Sequence, residues 1–374
     1  MTWLLVDDEA KLEQAVAELT GKPRLFIDTE FESNKSGQRL CLLQISAGER
    51  IFLIDPLRVA KPDPLRPLLG APGVEWVLHA GLQDVHLVTD RLNVPAPSRL
   101  FDTQIAWALL SAESNVSLAY LQYKILSVRG SKAHQADDWL KRPLPDSQLR
   151  YAASDVERLP AMSDWLLARA LEKNRVEAIY AASREALLPV REPAAPLELS
   201  AFRNAWQLEP KNQAALQFLI GWYNRLTESE QQDAPDTKTL LSMASRLPED
   251  VEALGRIKGV HRGVVARHGR SLVSGMNERA RSARADDFVP IEPPPYATFA
   301  DVRLDAWLGT ARAEICAELE VSPEFVLPTR VLREAKAALV QRGTAGLFAA
   351  FGGFRGPLLA EALQRFCERQ PPPV

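Results

Sequence analysis

Asp28 and Glu30 stand two residues apart behind an apolar run, Leu25-Phe26-Ile27. On a strand that spacing points both carboxylates to one face. Tyr151 and Asp155, in Tyr-Ala-Ala-Ser-Asp, stand four apart and share a face if the segment is helical. Asp84 follows His79-Ala80-Gly81 near the start of a helical pattern, where the N-terminal dipole tolerates an acid. Alone, each fragment is weak: an acid after a strand is usually a turn residue, and a Tyr/Asp pair on a helix is usually surface decoration. All three occur in order, about 55 and then about 70 residues apart. Four carboxylates brought together raise one another's pKa and remain ionised only with cations among them. Ligands that are all oxygen select Mg²⁺ or Mn²⁺ over zinc. Two such ions roughly 4 Å apart can hold the attacking and leaving oxygens of an in-line phosphoryl displacement. That is the chemistry of a nuclease.

Elements able to position these residues are legible around them. Leu25–Ile27, Leu40–Ile45 and Ile51–Ile54 are β-prone runs separated by turns, with Gly48 between the last two and Asp55-Pro56 closing the third. They read as a three-stranded meander, followed by a strand over 74–79. From 82 the pattern is helical, Asp102-Thr103 read as the cap of a helix through Leu110, and helix predominates from 146 to 186. Strands and helices in mixed order predict an α/β domain over 1–190. Prolines 189, 193 and 196 mark a linker over 191–203. Residues 204–285 carry no strand signal and show helical spacing at Leu216, Leu219, Ile220 and Tyr223. A second proline cluster, Pro290 and Pro293 to Pro295, marks a linker over 286–298 before a helical segment at 299–374.

Composition sets the outer bounds. A chain of 374 residues is too long for one ordinary core, and 46% hydrophobic with 25% charged residues is a soluble globular composition. Met1 to Val6 run straight into Asp7, Asp8 and Glu9, too short and too acidic for a signal peptide. No apolar run approaches the roughly 20 residues of a membrane span. Cys41, Cys316 and Cys367 are odd in number and far apart, with no disulfide framework or metal-ligand spacing. A cytoplasmic monomer with no membrane partner is expected. Net charge is only −3, yet residues 253–285 hold 8 Lys/Arg against 1 Asp/Glu. Arg256, Lys258, Arg262, Arg267 and Arg270 belong to this stretch, which reads as a footprint for a polyanion. The competing reading is a solvated helical face.

The motifs resemble a known family. Asp28-Thr29-Glu30-Phe31, His79-Ala80-Gly81-x-x-Asp84 and Tyr151-Ala152-Ala153-x-Asp155-Val156 are similar to the three exonuclease motifs of the DEDDy superfamily. Asp102-Thr103-Gln104 and Asp138-Trp139-Leu140-x-Arg142-Pro143-Leu144 resemble its ribonuclease D family in particular. Ala215-Leu216-x-x-Leu219-x-x-Trp222, Leu241-x-Met243-Ala244 to Leu247-Pro248 and Leu254-x-x-Ile257-x-Gly259 resemble an HRDC domain. Trp307, Pro323-Glu324 and Gly353-Phe354-Arg355-Gly356 resemble a degraded second copy. The resemblance implies an RNase H-like mixed sheet with flanking helices, then two small all-α HRDC-type domains, at 204–285 and 299–374. It implies a 3′–5′ exoribonuclease with two divalent ions, Mg²⁺ or Mn²⁺, that releases 5′-mononucleotides from RNA 3′ ends, tRNA precursors above all. By the same resemblance Asp28 bridges both ions, Glu30 and Asp155 complete the nucleophile side, and Asp84 helps hold the leaving-group ion. Tyr151 orients the attacking water, since a phenol of pKa about 10 is a poor base at neutral pH. Thr29, Phe31 and His79 are expected to touch substrate, Phe31 the terminal base.

One stretch departs from the family. Glu32-Ser33-Asn34-Lys35-Ser36-Gly37-Gln38-Arg39 stands where an Arg…Thr-Tyr-x-Pro stretch is common. Several residues have plainer readings: His79 as a core histidine, Asp102 as an N-cap, Trp139 as packing rather than base stacking. Gly352 to Pro357 is no phosphate loop, for no Gly-Lys-Ser/Thr follows. Two other functions compete. A DNA-directed proofreading exonuclease shares the acids but usually accompanies a polymerase, and nothing here resembles one. A non-catalytic RNA-binding scaffold would typically have lost a carboxylate, and all four are present with the tyrosine.

Overall fold

The computed structural model describes every residue except 35–36, 60, 130–136, 189–195, 203, 285–287, 294–295 and 374. Linker prolines 189, 193, 294 and 295, and residues 35 and 36 of the atypical stretch, lie outside the described residues.

The chain begins with β1 (Thr2–Val6), α1 (Glu9–Leu19), β2 (Arg24–Asn34), β3 (Gly37–Ser46) and β4 (Arg50–Ile54). Next come α2 (Leu65–Leu69), β5 (Glu75–Leu78), α3 (Leu82–Leu92), β6 (Arg99–Asp102), α4 (Thr103–Ala108) and α5 (Leu118–Leu126). Helices α6 (Asp146–Glu157), α7 (Leu159–Glu172) and α8 (Val176–Leu187) follow. Then come α9 (Pro210–Tyr223), α10 (Glu228–Asp233), α11 (Thr237–Arg246), α12 (Val251–Gly255) and α13 (Arg262–Ser282). The last helices are α14 (Phe299–Leu319), α15 (Pro323–Val326), α16 (Thr329–Ala350) and α17 (Arg355–Arg369).

Six strands form one mixed sheet in the order β1-β4-β3-β2-β5-β6. The meander is antiparallel through β2, β3 and β4, while β5 lies parallel to β2, β6 to β5, and β1 to β4. Alternation along β2 sorts its side chains between two layers, as period-2 geometry requires. Leu25 and Ile27 join a core with Leu12 and Leu19 of α1 and Val85 and Val88 of α3. Phe26 joins the opposite core, with Ile105, Val156, Leu166 and Ile179 from α4, α6, α7 and α8. Strand β2 runs further than Ile27, where the apolar run stops, and ends at Asn34. Asp28 to Asn34 have no apolar alternation; they are extended because β3 supplies backbone partners, with a register shift between Glu30 and Phe31. Asp28 and Glu30 therefore sit inside the strand rather than at its end.

Two compact units emerge: residues 1–189 with 298–374, and residues 190–297. The second is all helical, as its sequence spacing predicts, with a core of Leu216, Leu219, Trp222, Leu240, Met243, Leu254 and Leu272. Gly259 has φ +96, and a Cβ there would stand 2.3 Å from Thr239 Oγ1, so only glycine fits. In the first unit, α14–α17 contribute Leu304, Ile315, Leu339 and Phe366 to the same core as Phe26. Backbone contacts reinforce this junction: Ser322 N–H donates to Ala108 O at 2.8 Å. Arg175, buried at 7% exposure, donates to Leu109 O at 2.7 Å and also to Leu319 O. All three cysteines are free, and no helix among the described residues is long and apolar enough to cross a membrane.

Candidate active site

The middle of β2 meets α6 on one face and the first turn of α3 on the other, and each helix brings an acid. Asp28 and Glu30 share the face of β2 that α6 covers; Asp155 stands one turn after Tyr151 on that helix. Oxygens of Asp28, Glu30 and Asp155 lie within 4.8 Å of one another. Asp84 approaches from the first turn of α3 and lies outside that triad, though it lines the same cavity. Thr29, pointing to the opposite face from its neighbours, donates its hydroxyl to Asp84. Helix α3 can start so close because Gly81 leaves room: a Cβ there would stand 2.4 Å from Leu78 Cβ. Asp102 steadies the same corner, accepting from Ala80 N, Gly81 N and Gln104 N while capping α4.

Burial and crowding act together on these acids. Burial, then Asp84, Asp155 and Glu30, push the Asp28 carboxyl well above its ordinary range. Glu30 is raised to about 8 by burial, with Asp155 and Asp84 adding to it. Asp155 is raised to about 7 by burial, against the opposing pull of the Tyr151 hydroxyl and Arg158. Asp84 is raised by burial, and its hydrogen bond from Thr29 works against that rise. The Tyr151 phenol, buried and beside Asp155, Glu30 and Asp28, is pushed up further still and keeps its proton. So the metal-free site holds protons where it would hold cations.

Helix α6 is held over the sheet by the segment before it. Arg142 forks onto both oxygens of Asp55, at 2.6 and 2.9 Å, and donates to Cys41 O at 2.7 Å. A planar guanidinium suits that bidentate pairing. Trp139 is 2% exposed and its ring centroid lies 6.4 Å from that of Tyr151; it is packing. Glu32, within the atypical stretch, accepts from Trp139 N at 3.1 Å and so ties the long hairpin to this segment.

A cavity of about 360 Å³ opens over the acids, lined by Asp28, Thr29, Glu30, Phe31, His79, Asp84, Tyr151 and Asp155 among others. His79 is engaged on both ring nitrogens. Nε2 lies 3.0 Å from Val116 O, an acceptor only, and therefore carries the proton; Nδ1 lies 2.9 Å from Thr103 Oγ1. Burial lowers its pKa, so the ring is neutral and braces the 115–117 loop. Gln104 donates to the same carbonyl at 2.9 Å. Gln104, Asn115, Ser117 and Gln122 line the cavity too; of these the sequence had marked only Gln104, as part of Asp102-Thr103-Gln104. Ser117 before an apolar-periodic run was a readable N-cap signal; nothing marked Asn115 or Gln122. The basic residues of 253–285 lie elsewhere, in the second unit. Arg256 pairs with Glu252 and Arg267 with Asp233, both at exposed positions.

Residues 4–168 match the family model of a 3′-5′ exonuclease. Across 96% of its length the chain is 30% identical to ribonuclease D of Pseudomonas paraeruginosa, covering 96% of that protein. The chain belongs to the ribonuclease D family. It is 26% identical to ribonuclease D of Escherichia coli over 99% of this chain and all of that one. The crystal structure of Escherichia coli RNase D, described as an exoribonuclease involved in structured RNA processing, superposes with a TM-score of 0.74. That match, at 25% identity, covers 99% of this chain and 100% of that one, so the likeness includes the helical C-terminal region. As a ribonuclease D with this exonuclease domain, the chain is a hydrolytic 3′–5′ exoribonuclease.

Proposed function

We propose that the chain trims RNA 3′ ends, tRNA precursors and other structured RNAs, one 5′-mononucleotide at a time, using two divalent ions, Mg²⁺ or Mn²⁺. One observation carries this reading: Asp28, Glu30 and Asp155, all half-buried, converge within 4.8 Å from elements more than 100 residues apart. The donor set fits hard cations, since every ligand is a carboxylate oxygen and the acids repel one another without a counter-charge. Asp28, Glu30, Asp84 and Asp155 would hold the ions, which supply an acidified water and neutralise charge developing on the phosphate. The protein's own residues do the positioning. Tyr151 Oη, protonated and fixed by Asp155 and the Trp139 ring, can donate to or orient a water but cannot take its proton. Thr29 fixes the carboxylate of Asp84. Phe31 offers an apolar surface for a terminal base, and His79 shapes the cavity through the Val116 carbonyl. On this reading residues 204–285 and 299–374 are HRDC-type, the protein is a cytoplasmic monomer, and Arg256, Lys258, Arg262, Arg267 and Arg270 form an RNA-holding surface.

The test is hydrolysis of end-labelled single-stranded RNA and DNA by metal-stripped protein given Mg²⁺ or Mn²⁺. Asp28→Asn should abolish it, because a neutral amide is a much poorer ligand for a divalent ion. Full activity of that variant would sink the assignment. Faster loss of DNA than RNA would favour a DNA-directed enzyme.

A further inference from the structure

The cavity has two chemically different walls. One is the acidic wall. The other carries Gln104, Asn115, Ser117 and Gln122 with Leu118 and Leu159, and among the described residues neither wall has a lysine or arginine. The second wall is thus neutral and suited to a nucleoside rather than a phosphate.

Gln122 stands out on it. The residue is 2% exposed on α5, yet its carboxamide has no hydrogen-bond partner among the described residues. It is not sealed in protein like the fully buried, unpartnered carboxamide of Gln44; it opens on the cavity. Opening on the cavity and nowhere else, it is met there by water or by a bound ligand. Two neighbours are already engaged, Gln104 Nε2 donating to Val116 O and Ser117 Oγ accepting from Tyr120 N, and Asn115 is exposed.

We propose that Gln122 reads the base of the terminal nucleotide and gives this exonuclease a preference for adenine at the RNA 3′ end. A carboxamide offers one donor and one acceptor side by side; if it meets the N7 edge of the base, only adenine, with N6–H beside N7, presents the matching pair, since guanine shows two acceptors there and a pyrimidine a single polar group. Unpaired bases are read in this way at RNA ends, with an apolar or aromatic side chain against the ring; Phe31, Leu118 and Leu159 supply that surface. The inference rests on the reading of this cavity as an RNA 3′-end site.

The experiment measures kcat/KM of the metal-loaded full chain on four short RNAs that differ only in the 3′-terminal base. Wild type should favour adenosine by about tenfold, the scale of one buried hydrogen-bonded pair. Gln122→Leu and Gln122→Met, which keep the volume, should bring the four rates to within about twofold. Circular dichroism and melting of both variants check that they fold, and either one suffices. Equal wild-type rates, a ranking led by another base, or a ranking unchanged in the folded variants overturns the proposal. So does a variant that alters only the RNA-to-DNA ratio, since Gln122 would then read the sugar. Absence of any RNA hydrolysis by wild type would instead count against the site reading itself.

Discussion

Thr29 donates its hydroxyl to Asp84, joining the β2 strand to the first turn of α3 across the end of the sheet. The bond opposes the upward shift that burial imposes on Asp84. Thr29→Val keeps the shape and removes the donor, so Asp84 should hold its proton more tightly and its ion less well. Loss of such a supporting partner typically costs about 10- to 100-fold in metal affinity or activity. The measurement is RNA hydrolysis against Mg²⁺ concentration. A metal dependence identical to wild type would show that the Thr29–Asp84 contact has no part in catalysis.

Among the described residues Tyr151 is the only phenol lining the acid cluster's cavity, and it holds its proton too tightly to serve as a base. Tyr151→Phe should lower kcat by about 10²-fold, within the range for positioned proton donors, and leave KM within about twofold. Steady-state kinetics on a short oligonucleotide separates the two constants. If KM rose while kcat held, Tyr151 would be a contact for substrate and not for the attacking water.

The acid cluster makes the metal-free protein sensitive to base. Glu30 and Asp155 titrate at about 8 and about 7 when folded, against about 4 when unfolded. Between those values the unfolded chain has lost protons that the folded protein keeps, so stability falls as pH rises. The contribution is complete below about pH 4 and gone by about pH 8. His79, with a lowered pKa, acts in the opposite direction below about pH 6.5. Melting of EDTA-treated wild type and Glu30→Gln, compared at about pH 5.5 and 8.5, isolates the carboxylate part. Wild type should lose a few degrees more than the variant over that interval, and Mg²⁺ should recover them. Parallel pH dependences would mean that the cluster is not under electrostatic strain.

Residues 253–285 lie in the second unit, and their glycines serve packing as well as any ligand. Gly269 meets Val251 and Gly275 sits under the Phe218 ring. Their charge is a separate matter, for Lys258, Arg262 and Arg270 are exposed. Exposed pairs such as Arg256–Glu252 are worth little and yield readily to phosphate. Reversal of Arg256, Lys258 and Arg262 to Glu should weaken binding of a structured RNA and reduce its log–log salt slope by about 2. Filter binding across a salt series checks this. Unchanged affinity in a folded triple variant would leave the patch a role in solubility or protein contact.

The acids were legible in the sequence because their chemistry imposes local spacing: two apart on a strand, four apart on a helix. The meander and the helices of the second unit were legible for a similar reason, each element written in a short run of residues with its own period. What escaped depends on distant partners. β6 has four residues, and β2 continues past Ile27 only because β3 pairs with it. Gln122 looks like any helix residue until His79 and Gln104 fasten the 115–117 loop beside the acids. The side chains that α14–α17 press onto α8 and α4 carry ordinary helical spacing, and nothing in that spacing says which surface they cover.

That last junction limits how this protein can be taken apart. A chain cut near residue 298 would split one continuous core, leave Ala108 O and Glu185 without Ser322 and Arg355, and strand the Arg175 guanidinium, which bridges Leu109 and Leu319. The C-terminal helices are therefore not cargo that evolution or a protease can detach while the nuclease carries on. They are free to diverge outward, toward whatever they bind, and bound inward to the size and shape of the side chains they cover.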